Sequence, residues 1–344
     1  MNFSNFLFED FFLLLITTVI VYIIFRWYTH YTKKAYYNVD DDVEECFYPD
    51  TWKISLENKN SCIIDSLRWF CKNENSKRNS YLLNTRKKKF NILEKIVYEI
   101  AEFHFNRLNM IFDNSKNIEF WIKNSANCNS FHFDCDEYDN KINKPEILST
   151  PLLSCIVYLN DNDIPTVITN VNQKNFNRQY YSKNNTIAVS FPKTFKHITF
   201  DGGNNLHGTT KFFEKGDETR YILAINLWDK RPKDVHYFDH LTFTSTVSSD
   251  DNTKIEKISK YKKLINIHLN EKNTKTIKLK NREIINPYFF ETFIKSKKFY
   301  PFLKPYQKKK CQEKYDGFLK IGKIIKEDLK DFDTFLFELP KLSK

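Results

Sequence analysis

The chain begins with an unbroken apolar run. Phe11 through Phe25 carries no charged residue, and Trp27 and Tyr28 follow at the end where interfacial aromatics belong. With its flanks the run reaches roughly the 20 residues a helix needs to cross a bilayer. Residues 1–28 are therefore expected to form an N-terminal transmembrane anchor. A cleaved signal peptide fits less well, because acidic Glu9 and Asp10 precede the run and bulky residues follow it. Arg26, Lys33 and Lys34 come after the run. The positive-inside rule then places the remainder on the cytosolic side, with the lumenal side of the endoplasmic reticulum as the alternative. Residues 29–60 read as a linker.

Beyond the linker the period becomes helical. Ile63, Ile64, Leu67 and Phe70 lie at helical spacing within Cys62–Cys71, and Ile92, Ile96, Ile100, Phe103 and Arg107 recur at steps of three or four. Residues 61–116 are accordingly read as a helical support region. From residue 117 short apolar runs alternate with turn-like clusters: Ile118–Ile122, Phe131–Asp134, Leu152–Leu159, Thr166–Ile168, Thr186–Phe191, His197–Phe200, Leu206–Phe213 and Arg220–Trp228. Asp201–Asn205 and Glu214–Glu218 carry the turn residues between consecutive runs. This density of short strands predicts a β-sandwich or barrel over 117–232, mainly β with flanking helices. Residues 233–344 form a lysine-rich C-terminal extension without a repeat or motif, and a small helical appendage is one reading of it.

Composition narrows the function classes. Hydrophobic residues make up 41% of 344, enough for a sizeable core, and only 6 glycines argue against a Gly-rich phosphate loop. The net charge of +11 admits an acidic partner, but much of the excess lies in the C-terminal third. No recognition motif accompanies it, so solvated lysines explain it and no specific nucleic acid is expected. The 7 cysteines are odd in number and lack C-x-x-C spacing, which excludes a disulfide framework and a zinc ribbon. Most are expected as small buried hydrophobes.

The candidate chemistry begins at Phe131-His132-Phe133-Asp134. On a strand, residues two apart share a face, so His132 and Asp134 would present an imidazole and a carboxylate side by side. By itself the pair is weak: 8 histidines and 43 acidic residues give about one His-x-Asp/Glu by chance, which is how many the sequence holds. Its weight comes from His207, inside Phe200–Thr209, and from Arg220, which opens the apolar strand Arg220–Trp228. A turn at Gly216 is expected to fold that strand back against the one bearing His207, letting Arg220 reach the same cavity. Two imidazoles and a carboxylate on one face of a metal are the donor set of non-haem iron(II) oxygenases. An arginine beside them offers a forked donor to a carboxylate. Asp136 and Glu137 read as a solvated loop, His197 as the start of a strand, His236 and His240 as structural, and Trp121 as core or cavity wall.

The order His-x-Asp, then Ser154-Cys155-Ile156-Val157-Tyr158-Leu159-Asn160, then His207, then Thr219-Arg220-Tyr221 resembles the iron(II)- and 2-oxoglutarate-dependent dioxygenases, most closely the prolyl 4-hydroxylase-like branch. The resemblance covers residues 117–230. It implies a double-stranded β-helix (jelly-roll) core, with iron held by His132, Asp134 and His207, which are also the catalytic residues. Arg220 and Tyr158 would hold 2-oxoglutarate. Dioxygen is the second co-substrate, ascorbate the reductant, and succinate and carbon dioxide the by-products of hydroxylating a C–H bond. Two departures are visible. Ile164-Pro165-Thr166 stands where the family often has Gly-Gly-x-Thr, and Ile222 stands where many members have serine. Asn226 occupies the position of an arginine that marks the nucleic-acid demethylating branch. The implied substrate is a protein or peptide side chain, with a small molecule or lipid as a rival. A catalytically inactive, membrane-tethered jelly-roll binding module is the alternative from another class.

Overall fold

A computed structural model describes residues 49–57, 62–73, 80–125, 131–143, 149–170, 186–210, 212–213, 219–238, 258–270, 273–280 and 321–339. The expected anchor at 1–28 lies outside these residues. Among the described residues no helix is long and apolar enough to cross a membrane.

The elements follow in the order β1 (Asp50–Leu56), α1 (Cys62–Lys72), β2 (Tyr81–Leu82), β3 (Lys89–Phe90), α2 (Ile92–Arg107), β4 (Asn117–Ser125) and α3 (Glu137–Asn143). Then come β5 (Leu153–Tyr158), β6 (Thr166–Thr169), β7 (Thr186–Ser190), β8 (Lys196–Phe200), β9 (His207–Thr209) and β10 (Arg220–Trp228). Past these lie β11 (Ile258–Ser259), β12 (Ile265–Leu269), β13 (Thr274–Lys278) and β14 (Thr334–Glu338). The start of α2 is written locally. The Asn91 side chain accepts from the Glu94 N–H at 2.8 Å and the Glu94 carboxylate accepts from the Asn91 N–H at 3.0 Å, the reciprocal capping box.

Two sheets carry the fold. One has seven strands in the order β12-β1-β8-β5-β10-β4-β2, the other five in the order β13-β14-β7-β6-β9. Strict alternation divides each strand between two environments. On β5, Leu153, Cys155 and Val157 pack toward the helices, while Ile156 and Tyr158 point the other way, into the layer between the sheets. On β10, Leu223, Ile225 and Leu227 face the helices, and Ile222 and Ala224 face inward. The five-stranded sheet repeats the rule. Ile187, Val189, Phe335 and Phe337 form an outer core, and Ala188 and Leu336 meet the inner layer. Apolar layers on both outer faces and a thin one between make a sandwich of two sheets with α1 and α2 laid over one side. This is a mainly β, jelly-roll-like architecture.

Four expectations are corrected. The linker over 29–60 gives way at Asp50 to β1, which pairs antiparallel with β8 and β12; its alternation rests on only two apolar positions, Trp52 and Ile54, and reads weakly in sequence. The extension over 233–344 is not a separate helical appendage. It supplies β12 to the larger sheet and β13 and β14 to the smaller, so the β core extends beyond 117–232 at both ends. Phe131–Asp134 is not a strand; it makes a single antiparallel bridge, His132 to His207. Finally, β9 and β10 do not pair: β9 lies against β6, whereas β10 lies between β4 and β5 in the other sheet. Consecutive strands here cross between sheets, which closes a sandwich where a hairpin would extend one sheet.

Candidate metal centre

The single bridge at residue 132 does the work expected of a strand. His132 N–H donates to the His207 carbonyl at 2.8 Å, and His207 N–H returns the bond to His132 at 3.0 Å. Two residues on, the Asp134 N–H donates to the Gly202 carbonyl at 2.8 Å. The segment is thus held against the Asp201–Asn205 turn and the start of β9, with His132 and His207 ring centroids 4.5 Å apart.

The side chains converge. Asp134 Oδ1 lies 3.6 Å from His132 Nε2 and 3.5 Å from His207 Nε2, and one ligand atom of each residue falls within 4.8 Å of the others. Supporting bonds fix the donors. Ser154 Oγ donates to Asp134 Oδ2 at 2.7 Å, which reserves Oδ1. His207 Nδ1 lies 2.9 Å from the Asn205 carbonyl oxygen; a carbonyl only accepts, so Nδ1 carries the proton and Nε2 presents a lone pair. Burial opposes charge on Asp134, yet the neighbouring His207 and His132 hold its carboxyl well below the usual range. The His132 side chain is 46% exposed, against 8% for Asp134 and 7% for His207, so the cluster opens to solvent on the His132 side.

A small, partly open cavity of about 40 Å³ spreads from the cluster between the two sheets. Its wall includes Trp121 and Lys123 of β4, Ile156 of β5, Thr166 of β6, Phe200 of β8 and Arg220, Ile222, Ala224 and Asn226 of β10. Arg220 is buried at 3% exposure. Its Nη2 donates to Thr166 Oγ1 at 2.7 Å and its guanidinium lies 5.3 Å from the Tyr158 ring centroid. Tyr158 hydrogen-bonds through its hydroxyl to Thr166 at 2.8 Å and to the Ser190 carbonyl at 3.2 Å. Burial pushes its phenol up, so it stays a neutral donor. Tyr158 stands behind Arg220 and Thr166 rather than on the cavity wall, and it orients the arginine. Arg220 itself reaches the cavity from the opposite sheet, not by a hairpin from His207.

Other candidates divide. Asp136 is buried, not solvated: its carboxylate accepts from the Asp139 N–H at 2.9 Å and the Lys233 N–H at 2.8 Å. Glu137 is exposed. His197 lies away from the cluster, in contact with His104 on the helix side. His236 is exposed and His240 lies outside the described residues. Sequence reasoning did not single out Ser154, Thr166 or Lys123. Thr166 carries a trace of a signal, since it stands in the segment that departs from the family pattern. Gly202 shows why the approach is so close: a Cβ there would collide with Ser154 Oγ and the Asp134 carboxylate.

No family model and no curated protein matches the sequence. Among solved structures, the chain is similar to a prolyl-4-hydroxylase of Pseudomonas putida, at 10% identity and a TM-score of 0.33, over 52% of this chain and 92% of that one. It is similar to HygX of Streptomyces hygroscopicus with nickel and 2-oxoglutarate bound, at 11% identity and a TM-score of 0.32, over 55% and 91%. It is also similar to SnoN, a non-heme alpha-ketoglutarate-dependent epimerase from nogalamycin biosynthesis, at 10% identity and a TM-score of 0.35, over 54% and 82%.

Proposed function

We propose that the chain is an iron(II)- and 2-oxoglutarate-dependent dioxygenase that hydroxylates a protein side chain. One observation carries the reading: His132, Asp134 and His207 converge on one point in a cavity that also holds the buried Arg220. The donor set fits a ferrous ion. His207 aims Nε2 and Asp134 a carboxylate oxygen at the same place, where one cation would be held by both. Two imidazoles and one carboxylate leave open positions on such a cation for other ligands.

The residues then have separate tasks. His132, Asp134 and His207 hold the metal, with Ser154 and the Asn205 carbonyl fixing two of them. Arg220 binds the far carboxylate of 2-oxoglutarate, and Thr166 and Tyr158 keep the guanidinium in register. Phe200, Ile222 and Ala224 make a dry wall that strengthens those contacts. When bound, the metal with 2-oxoglutarate activates dioxygen for insertion into a C–H bond, with succinate and carbon dioxide released. Trp121 and Lys123 lie along the wall, and the exposed His132 marks the open side. A protruding side chain of a larger substrate suits an opening of that kind. The apolar run at 11–25 would tether the enzyme to a membrane, facing the cytosol.

The test is oxygen transfer. The full chain is incubated with a peptide panel, iron(II), 2-oxoglutarate and ascorbate. The expected result is a peptide heavier by one oxygen, with one succinate formed per product. Succinate without a modified peptide redirects the reading to a small molecule. Absence of iron-dependent succinate under every condition overturns it in favour of a binding module.

A further inference from the structure

We propose that His104, Cys155 and His197 form a second metal site, for a thiophilic d10 cation, on the helix side of the seven-stranded sheet. The site stands back to back with the first one. Ser154 and Cys155 are neighbours on β5, so strand alternation sends the serine to Asp134 and the cysteine to the opposite face. His197 arrives from β8, which pairs with β5. His104 arrives from the last turn of α2.

One ligand atom of each residue lies within 4.8 Å of the others. Exposures of 0% for both imidazoles and 1% for the thiol make this a closed, dry cluster. Trp52 and Phe103 wall it, with ring centroids 5.4 and 4.9 Å from that of His104.

The protons can be assigned. His197 Nδ1 lies 3.1 Å from the Ile156 carbonyl oxygen, so Nδ1 carries the hydrogen and Nε2 a lone pair. His104 Nε2, 2.7 Å from that lone pair, must then be the donor. Its Nδ1 is left buried without a partner among the described residues. One proton is shared between the two Nε2 atoms and one sits on His197 Nδ1, so the bonding is that of two neutral rings. Cys155 is a free thiol.

A cation entering between the Nε2 atoms replaces their hydrogen bond. The His104 proton moves to Nδ1, and the thiol proton leaves for solvent as the metal–sulfur bond forms. Two imidazoles and a thiolate are a soft set that selects Cu(I) or Zn(II). Charge separates the two. Cu(I) brings one positive charge and expels one proton, so the buried cluster stays neutral. Zn(II) leaves a net positive charge in a dry site, which is costly, and it prefers a fourth ligand. No fourth His, Cys, Asp or Glu joins the cluster among the described residues.

The test uses the full chain with Asp134→Ala, which removes the other centre. It is loaded anaerobically with Cu(I), or in parallel with Zn(II), and then passed over a desalting column. The expected result is one retained ion per chain, with copper held against a stronger competitor than zinc. X-ray absorption should show one sulfur bound to the metal. Retention should fall at least tenfold on adding Cys155→Ala or His197→Gln. Cu(I)-dependent elevation of Tm in the wild-type chain, reduced in Cys155→Ala by the share of the second site, serves if the double variants fold poorly. Failure to retain either ion, binding without sulfur, or undiminished retention in Cys155→Ala overturns the site. None of these readouts depends on 2-oxoglutarate turnover.

Discussion

His132 and His207 exchange a pair of backbone hydrogen bonds, at 2.8 and 3.0 Å, although 75 residues separate them in the chain. That reciprocal bridge sets two imidazoles side by side before any ligand arrives. It also means that the site's geometry is carried by main chain, so either side chain can be removed without dismantling the frame.

The closest packing behind the cluster is at Gly202. A methyl group there meets Ser154 Oγ and the Asp134 carboxylate, so Gly202→Ala must displace the very oxygens that orient the ligand. Overpacking of this kind costs about 1–3 kcal/mol. The expected outcome is a folded chain that has lost iron affinity, read by equilibrium dialysis beside thermal unfolding. A variant with unchanged affinity would show that Asp134 is not held from this side.

Arg220, Thr166 and Tyr158 form one bonded group. Removing the guanidinium in Arg220→Gln would delete the proposed charge-assisted pair with the far carboxylate of 2-oxoglutarate. Such bonds are worth about 1.5–3 kcal/mol, so KM for 2-oxoglutarate should rise by roughly 10- to 100-fold. Tyr158→Phe leaves the arginine in place with one support fewer. Its KM should rise only a few-fold at most while kcat holds. Steady-state succinate formation separates the two variants.

Glu119 supplies a pH test. Desolvation by burial raises its carboxyl to about 7, although Ser80 and Trp228 donate to it and lower it, and the charges of Asp134 and Glu137 raise it further. Between its ordinary value near 4.5 and pH 7 the folded chain keeps a proton that the unfolded chain has released. The stabilisation is fully present below pH 4.5 and is lost as pH climbs through 7. The stability of the wild type relative to Glu119→Gln should therefore decline across that window, by on the order of 1–3 kcal/mol. Denaturant titrations at a series of pH values measure it; a flat difference would contradict the assignment.

Lys196 and Asp333 make a buried ion pair at 2.6 Å, with Lys196 Nζ also donating to Thr334 Oγ1 at 2.8 Å and to the Phe191 and Asp333 carbonyls at 3.0 and 2.9 Å. The pair joins β8 of one sheet to the residue that leads into β14 of the other. Lys196→Met strands the Asp333 carboxylate, and breaking such a pair costs about 3–5 kcal/mol. A midpoint shift of that size in urea unfolding is expected, with m unchanged.

Much of this fold can be read along the chain, for identifiable reasons. Asn91 through Arg107 carries its apolar stripe and its capping box within itself, and Arg220–Trp228 is a continuous apolar strand because both its faces are covered. Strand partners are a different matter. Nothing local tells β10 to join β4 and β5 instead of β9, since that choice is made by which faces can be buried together. Likewise Thr334–Glu338 is a short apolar run, but its place beside β7 depends on a contact across more than a hundred residues. The His132, Asp134 and Arg220 positions were legible because spacing and order carry them. Spacing two apart brings side chains together in a lone bridge as well as in a strand. His104 was hidden because it sits within a helical stripe, where an imidazole reads as one more core position.

The most direct measurement is ferrous binding coupled to 2-oxoglutarate consumption by the full chain. The account predicts iron-dependent succinate release, abolished in His132→Ala, Asp134→Ala and His207→Ala, with the exposed His132→Ala chain as stable as the wild type. Undiminished, iron-dependent release in any of these three variants would contradict it.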